Sequence, residues 1–86
     1  MSTPTKPHLN VIARAPFHVY FEGEAYGITA KNKVGAFDIL PGHADFFSVL
    51  VPCDVTVTTE EEELTFAIRT GIVSVRDDAV MLFVNM

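Results

Sequence analysis

Apolar and polar side chains alternate one by one along most of the chain, which is the period of extended strands. Leu9, Val11 and Ala13 fall on one side, with Asn10, Ile12 and Arg14 on the other. After Pro16, Phe17, Val19 and Phe21 alternate with His18, Tyr20 and Glu22. Glu22-Gly23-Glu24 reads as a bend or bulge, since glycine weakens a strand interior. A third extended run covers 25–31 and closes on the polar turn Lys31-Asn32-Lys33. Residues 34–40 form a short mixed stretch, and Pro41-Gly42 is a strong turn signal. The apolar-rich run 46–51 suits a strand buried on both faces, and Pro52 ends it. Val55 and Val57 alternate with Thr56 and Thr58. Leu64, Phe66 and Ile68 alternate with Thr65, Ala67 and Arg69. The polar stretch 59–63 between them predicts a hairpin. Gly71 precedes the run 72–76. Asp77-Asp78 is a tight turn, because Asp tolerates positive φ. Val80, Leu82 and Val84 then alternate with Met81 and Phe83.

The pattern gives about nine short strands and no helical stripe, so the chain is all-β, a sandwich or a barrel. Composition agrees: Val, Ile and Thr supply 24 of the 86 residues, and β-branched side chains fit a pleated surface. Residues 1–8, with Pro4 and Pro7, read as a flexible lead-in, and 9–86 as the domain. The last strand is apolar on both faces, as is 46–51. A two-layer sandwich buries one face of each sheet, so part of the outer surface is expected to be covered by another protein.

At 86 residues and 9.5 kDa the chain makes one domain, with 49% hydrophobic residues to fill its core. Residues 1–43 hold four cations and three anions, whereas 44–86 hold two cations and eight anions. Such an acidic chain lacks the footprint of a nucleic-acid binder and has no polybasic membrane patch. The longest apolar runs are about six residues, against about 20 for a spanning helix, so no direct membrane insertion is expected. Met1 to Asn10 is polar and unlike a secretory signal. One cysteine, Cys53, excludes an internal disulfide framework.

Chemistry is sparse. His43 beside Asp45 could act as a base or ligand, but no partner sits at ligand spacing, and a histidine bonded to its own loop explains it as well. Cys53 is followed by Asp54, which disfavours a thiolate, so it reads as a small core residue. Glu60, Glu61, Glu62 and Glu63 lack the alternation of a calcium loop and suit a solvated hairpin cap. The glycines form no phosphate loop. No catalytic residue, metal or cofactor is expected. The chain reads as a binding or structural module.

Gly23-Glu24-Ala25, a twelve-residue spacer and Asp38-Ile39-Leu40-Pro41-Gly42-His43-Ala44 resemble the G-E-A and G-I-L-P-G-H-A-P of the N-terminal β-sandwich domain of the ATP synthase epsilon subunit (delta in mitochondria). The stretch from Phe46 to Cys53 resembles that family's L-L-T-A-L-K-P-G. The stretch from Arg69 to Val75 resembles its S-G-G-F-L-E-V. The resemblance implies a small β-sandwich of about nine to ten strands. It also implies a non-catalytic central-stalk subunit of an F-type ATP synthase, on the cytoplasmic side of the inner (plasma) membrane. Its partners would be the gamma subunit and the c subunits of the rotor ring, and it would couple proton or other ion flow to ATP synthesis or hydrolysis. The 86 residues stop where the family continues into a C-terminal helical hairpin.

Departures from the family shape the expected contact. Its acidic E-G-E-F-G is here Val34-Gly35-Ala36-Phe37-Asp38, the proline after His-Ala is Asp45, and Thr70 and Cys53 replace glycines. Partner-binding residues are expected at Val34, Gly35, Ala36, Phe37, Asp38, Leu40, Pro41, His43 and Asp45. The element 34–43 is expected to read its partner by shape more than by charge, with Phe37 foremost. Outward residues of 46–51 and the turn 39–44 should form an apolar patch of roughly 300–600 Å² facing gamma. The weakened acidic motif also admits an alternative, a free-standing epsilon-like adaptor outside the synthase.

Overall fold

The computed structural model describes residues 7–86, and the lead-in expected over 1–8 lies mostly outside them. Nine strands follow in order: β1 (Leu9–Ala15), β2 (His18–Ala25), β3 (Gly27–Asn32), β4 (Gly35–Ile39), β5 (Phe46–Leu50), β6 (Cys53–Thr58), β7 (Glu63–Ile68), β8 (Thr70–Arg76) and β9 (Ala79–Asn85). They form a sandwich of a five-stranded sheet, β2-β1-β9-β8-β5, and a four-stranded sheet, β4-β3-β6-β7. All ladders are antiparallel except β1 with β9.

The inward rows supply the core. Leu9, Val11 and Ala13 meet Val80, Leu82, Val84, Val73, Val75 and Leu50 from one sheet, and Ile28, Ala30, Ile39, Val55, Val57 and Ile68 from the other. All sixteen buried hydrophobic residues are aliphatic. The half-buried aromatics Tyr20, Phe21, Phe37, Phe46 and Phe66 close the core's margins. β-branched residues dominate because their single preferred rotamers interdigitate on pleated sheets at little entropic cost.

Three expectations change. The run 46–51 is not buried on both faces. Phe46, Ser48 and Leu50 turn inward, while Phe47 and Val49 are 65% and 58% exposed. β5 belongs to one layer of a two-layer sandwich, which covers one face only. Gly23 does not break its strand, since β2 continues to Ala25. The irregularity lies earlier, between Ala13 and Arg14 of β1, where Phe21 pairs with Ala13 and Val19 with Arg14. The extra residue on β2 is Tyr20, so Tyr20 and Phe21 both pack on the core while Val19 turns outward. Phe17 leaves the strand pattern altogether and stands fully exposed in the β1–β2 turn.

Candidate functional site

Two surfaces carry the side chains that the core does not use. The first is the outer face of the five-stranded sheet. Strand pairing lines up Val49, Ile72, Phe83, Arg14 and Val19 in one row across β5, β8, β9, β1 and β2. The next row is Phe47, Ser74, Met81, Ile12 and Glu22. Ile72, Met81 and Phe83, at its centre, are each more than two-fifths exposed. Phe83 and Met81 form a ridge between two shallow grooves. One, of about 520 Å³, is lined by Pro16, Val49, Ile72 and Asn85. The other, of about 490 Å³, is lined by Ile12, Glu22, Ser74 and Arg76. The Arg14 guanidinium lies 5.9 Å from the Phe83 ring centre and donates to the carbonyls of Ala15 and Pro16. A cation held over an aromatic ring leaves the face largely apolar. Charge gathers at the rim, at Glu22, Glu24 and Arg76.

The second surface is built by β4 and the loop after it. Val34, Gly35, Ala36, Phe37, Asp38 and His43 line one groove of about 290 Å³ together with Asn32 and Phe46. Val34 is fully exposed at the hairpin tip, and its N–H and that of Gly35 donate to Asn32 Oδ1. Asp38 faces outward and accepts a 2.7 Å bond from the Thr29 hydroxyl. Phe37 pairs with buried Ala30, so its ring points inward and meets Phe46 edge-on at 5.4 Å. Element 34–43 is thus half strand, at Gly35–Ile39, and its aromatic ring supports the core margin.

Leu40, Pro41, His43 and Asp45 belong to the loop between β4 and β5. The His43 N–H donates to the Leu40 carbonyl at 3.0 Å. With Pro41 second and Gly42 third at φ 84°, this is a type II turn, whose third position demands positive φ. His43 Nδ1 lies 2.7 Å from the Ala44 carbonyl, and its ring packs on Phe46. The histidine is thus engaged by its own loop. Asp45 Oδ1 accepts from the Asp77 N–H at 3.2 Å. Leu40 does not join Phe47 and Val49. It leans over Gly27 and lines a groove with Thr29 and Thr58, on the outer side of the other sheet. The single patch expected from 46–51 and the 39–44 turn is therefore two separate surfaces. Ile39 is fully buried and contributes to neither.

The other candidates sit in structural settings. Cys53 is a half-buried free thiol 4.0 Å from the Lys31 carbonyl. Among the described residues, no three His, Cys, Asp or Glu side chains gather as metal ligands. The acidic tip is a turn in which Thr59 bonds both the amide and the carbonyl of Glu62. Beside it, partial burial, the Glu60 and Glu24 carboxylates and a hydrogen bond with Glu60 push the Tyr26 phenol above its ordinary value. No helix among the described residues is long and apolar enough to cross a membrane.

The family described as ATP synthase, Delta/Epsilon chain, beta-sandwich domain matches residues 8–86. The ATP synthase epsilon chain of Ruminococcus albus is 33% identical over 66 residues, covering 77% of this chain and 49% of that protein. That of Xanthomonas euvesicatoria is 39% identical, covering 76% and 47%. The chain thus spans about half the length of the curated relatives it matches. Among solved structures, a chain of the Euglena gracilis mitochondrial ATP synthase superposes with a TM-score of 0.86 at 17% identity, covering all of this chain and 56% of that one. A chain of the central stalk and c-ring structure of the Tetrahymena thermophila mitochondrial enzyme gives 0.78 at 23% identity, covering 98% and 67%. At these identities the superpositions show the fold.

Proposed function

The chain belongs to the ATP synthase delta/epsilon chain β-sandwich family, and from that premise we propose that it works as a non-catalytic central-stalk subunit of an F-type ATP synthase. In this reading it binds gamma and the c subunits of the rotor ring, and it couples ion flow through the ring to ATP synthesis or hydrolysis. Its place is the cytoplasmic side of the inner (plasma) membrane, within a peripheral complex.

One observation carries the reading: the outer face of the five-stranded sheet presents Phe47, Val49, Ile72, Met81 and Phe83 to solvent. A contiguous apolar face rimmed by charge is the anatomy of a protein interface. We assign gamma to this face. We assign the rotor ring to the groove of Val34, Gly35, Ala36, Phe37, Asp38 and His43, together with the loop of Leu40, Pro41 and Asp45. Val34 and Ala36 stand where the related family carries acidic residues, so this contact is expected to read shape more than charge and to respond weakly to salt.

The test is co-purification with the matching gamma subunit. Ile72→Glu places a charge in the middle of the face without touching the core. It is expected to weaken gamma binding by at least about tenfold while leaving the fold intact. Undiminished binding by Ile72→Glu refutes the face assignment. Capture of a different protein, with gamma ignored, favours a free-standing adaptor.

A further inference from the structure

Two loops far apart in sequence hold each other at one end of the sandwich. Asp77 and Asp78 form the two-residue turn between β8 and β9, flanked by the pair Arg76–Ala79. Both have left-handed backbones, with φ of 50° and 61°. Such a turn prefers Asn and Gly, so two aspartates are a costly choice for the backbone alone. At position 78 the side chain explains the choice, and at 77 the backbone amide is the group in use. Asp78 Oδ1 accepts the Gly42 N–H at 2.8 Å, across 36 residues. The Asp77 N–H donates to Asp45 Oδ1 at 3.2 Å. The Asp78 carbonyl accepts the Asn10 N–H at 2.8 Å, anchoring the turn to β1.

One clasping bond holds Gly42 inside the type II turn at 40–43, and the other holds Asp45, two residues past its end. The turn is closed internally by its own hydrogen bond, so it moves as one piece. What remains free is its orientation, and Asp78 and Asp45 fix that. Where the related family has proline after His-Ala, this chain has Asp45, and a hydrogen bond to Asp77 does the stiffening. The β8–β9 turn also joins the two strands that carry Ile72, Met81 and Phe83. The clasp therefore sets the loop in a fixed relation to the apolar face.

We propose that Asp78 and Asp45 are positioning residues, which hold the 40–45 loop in the pose its partner reads and tie it to the apolar face as one rigid platform. This rests on the reading of that loop as a docking element. A preorganised loop loses less freedom on binding.

The test compares Asp78→Gly with Asp78→Asn in the full chain. Glycine keeps the positive-φ turn and deletes the acceptor, whereas asparagine keeps both. Amide hydrogen exchange at Gly42, the melting temperature and binding to a reconstituted gamma and c-ring assembly are measured together. Asp78→Gly is expected to speed Gly42 exchange and to weaken binding by about tenfold, the scale at which residues outside a contact act on it. Its melting temperature should stay within about 5 °C of native. Asp78→Asn should match the native protein in all three. Unchanged Gly42 exchange in Asp78→Gly overturns the clasp. Faster exchange with undiminished binding overturns the positioning role. If the native chain binds neither gamma nor ring, the stalk reading fails and the partner role falls with it, while Gly42 exchange still judges the clasp itself.

Discussion

Phe37→Ala separates a recognition ring from a supporting one. The ring is half-buried, sits in the inward row of β4 opposite Ala30, and contacts Phe46 edge-on at 5.4 Å. Fully buried phenylalanines cost about 3–5 kcal/mol when cut to alanine. Scaled to partial burial, with the lost aromatic pair included, the expected cost is about 2 kcal/mol. For a domain of this length that is a fall of about 8–16 °C in melting temperature. Thermal melts of the native, Phe37→Ala and Val34→Ala proteins by circular dichroism measure it. Val34 is fully exposed at the same hairpin, so its truncation should leave the melt unchanged. If Phe37→Ala melts within about 3 °C of native yet loses its partner, the inward assignment is wrong and the ring belongs to the contact surface.

Gly71→Ala should destabilise by about 1–3 kcal/mol, because a Cβ there would stand 2.9 Å from the Phe83 carbonyl oxygen and crowd Val84 and Ile68; an unchanged melting temperature would contradict that packing. The Tyr26 phenol should titrate above its ordinary value of 10.0 in an ultraviolet titration, and Glu60→Gln should bring it down. The folded state thus keeps its phenolic proton longer than the unfolded chain. The associated stabilisation is complete below about pH 10 and disappears as pH rises through the folded value, which alkaline melts of native and Tyr26→Phe proteins would reveal.

Most of the nine strands were legible because half-buried antiparallel strands write their burial into every second residue. Residues 79–84 show this well: the buried side is Val80, Leu82 and Val84, and the apolar surplus on Met81 and Phe83 already pointed to an outer surface. The run 46–51 misled for a related reason. Composition cannot separate a side chain covered by its own fold from one that is apolar and uncovered, so Phe47 and Val49 read as core. The Tyr20 bulge was invisible because it is a mismatch between β1 and β2, and it shows only once both are paired. The clasp of Asp45 and Asp78 was hidden by separations of 32 and 36 residues. The turn signals at both sites were readable, but their meeting depends on how the sandwich closes. The motif residues from Val34 to Asp45 were found by resemblance; strand pairing showed that Phe37 faces in, and the approach to Gly27 showed that Leu40 lies over the other sheet.

A chain with this much exposed apolar surface also needs its sheet edges closed to unwanted pairing. The edge strands are β2 and β5 in one sheet and β4 and β7 in the other. β5 is tied to β3 through the Val51 N–H on the Lys31 carbonyl and the Asn32 bond to Ser48, which covers that edge. β2 carries a bulge and exposes Glu22 and Glu24. β7 opens on Glu63, the last of four consecutive glutamates, and β4 has only five residues, with Asp38 outward. Charge, brevity and a bulge therefore sit where strand addition would start. The apolar face, by contrast, is carried by Phe47 and Val49 on β5, Ile72 on β8 and Met81 and Phe83 on β9, and of these strands only β5 is an edge, the one already tied to β3. That distribution favours a partner that packs side chains onto the face over one that adds a strand.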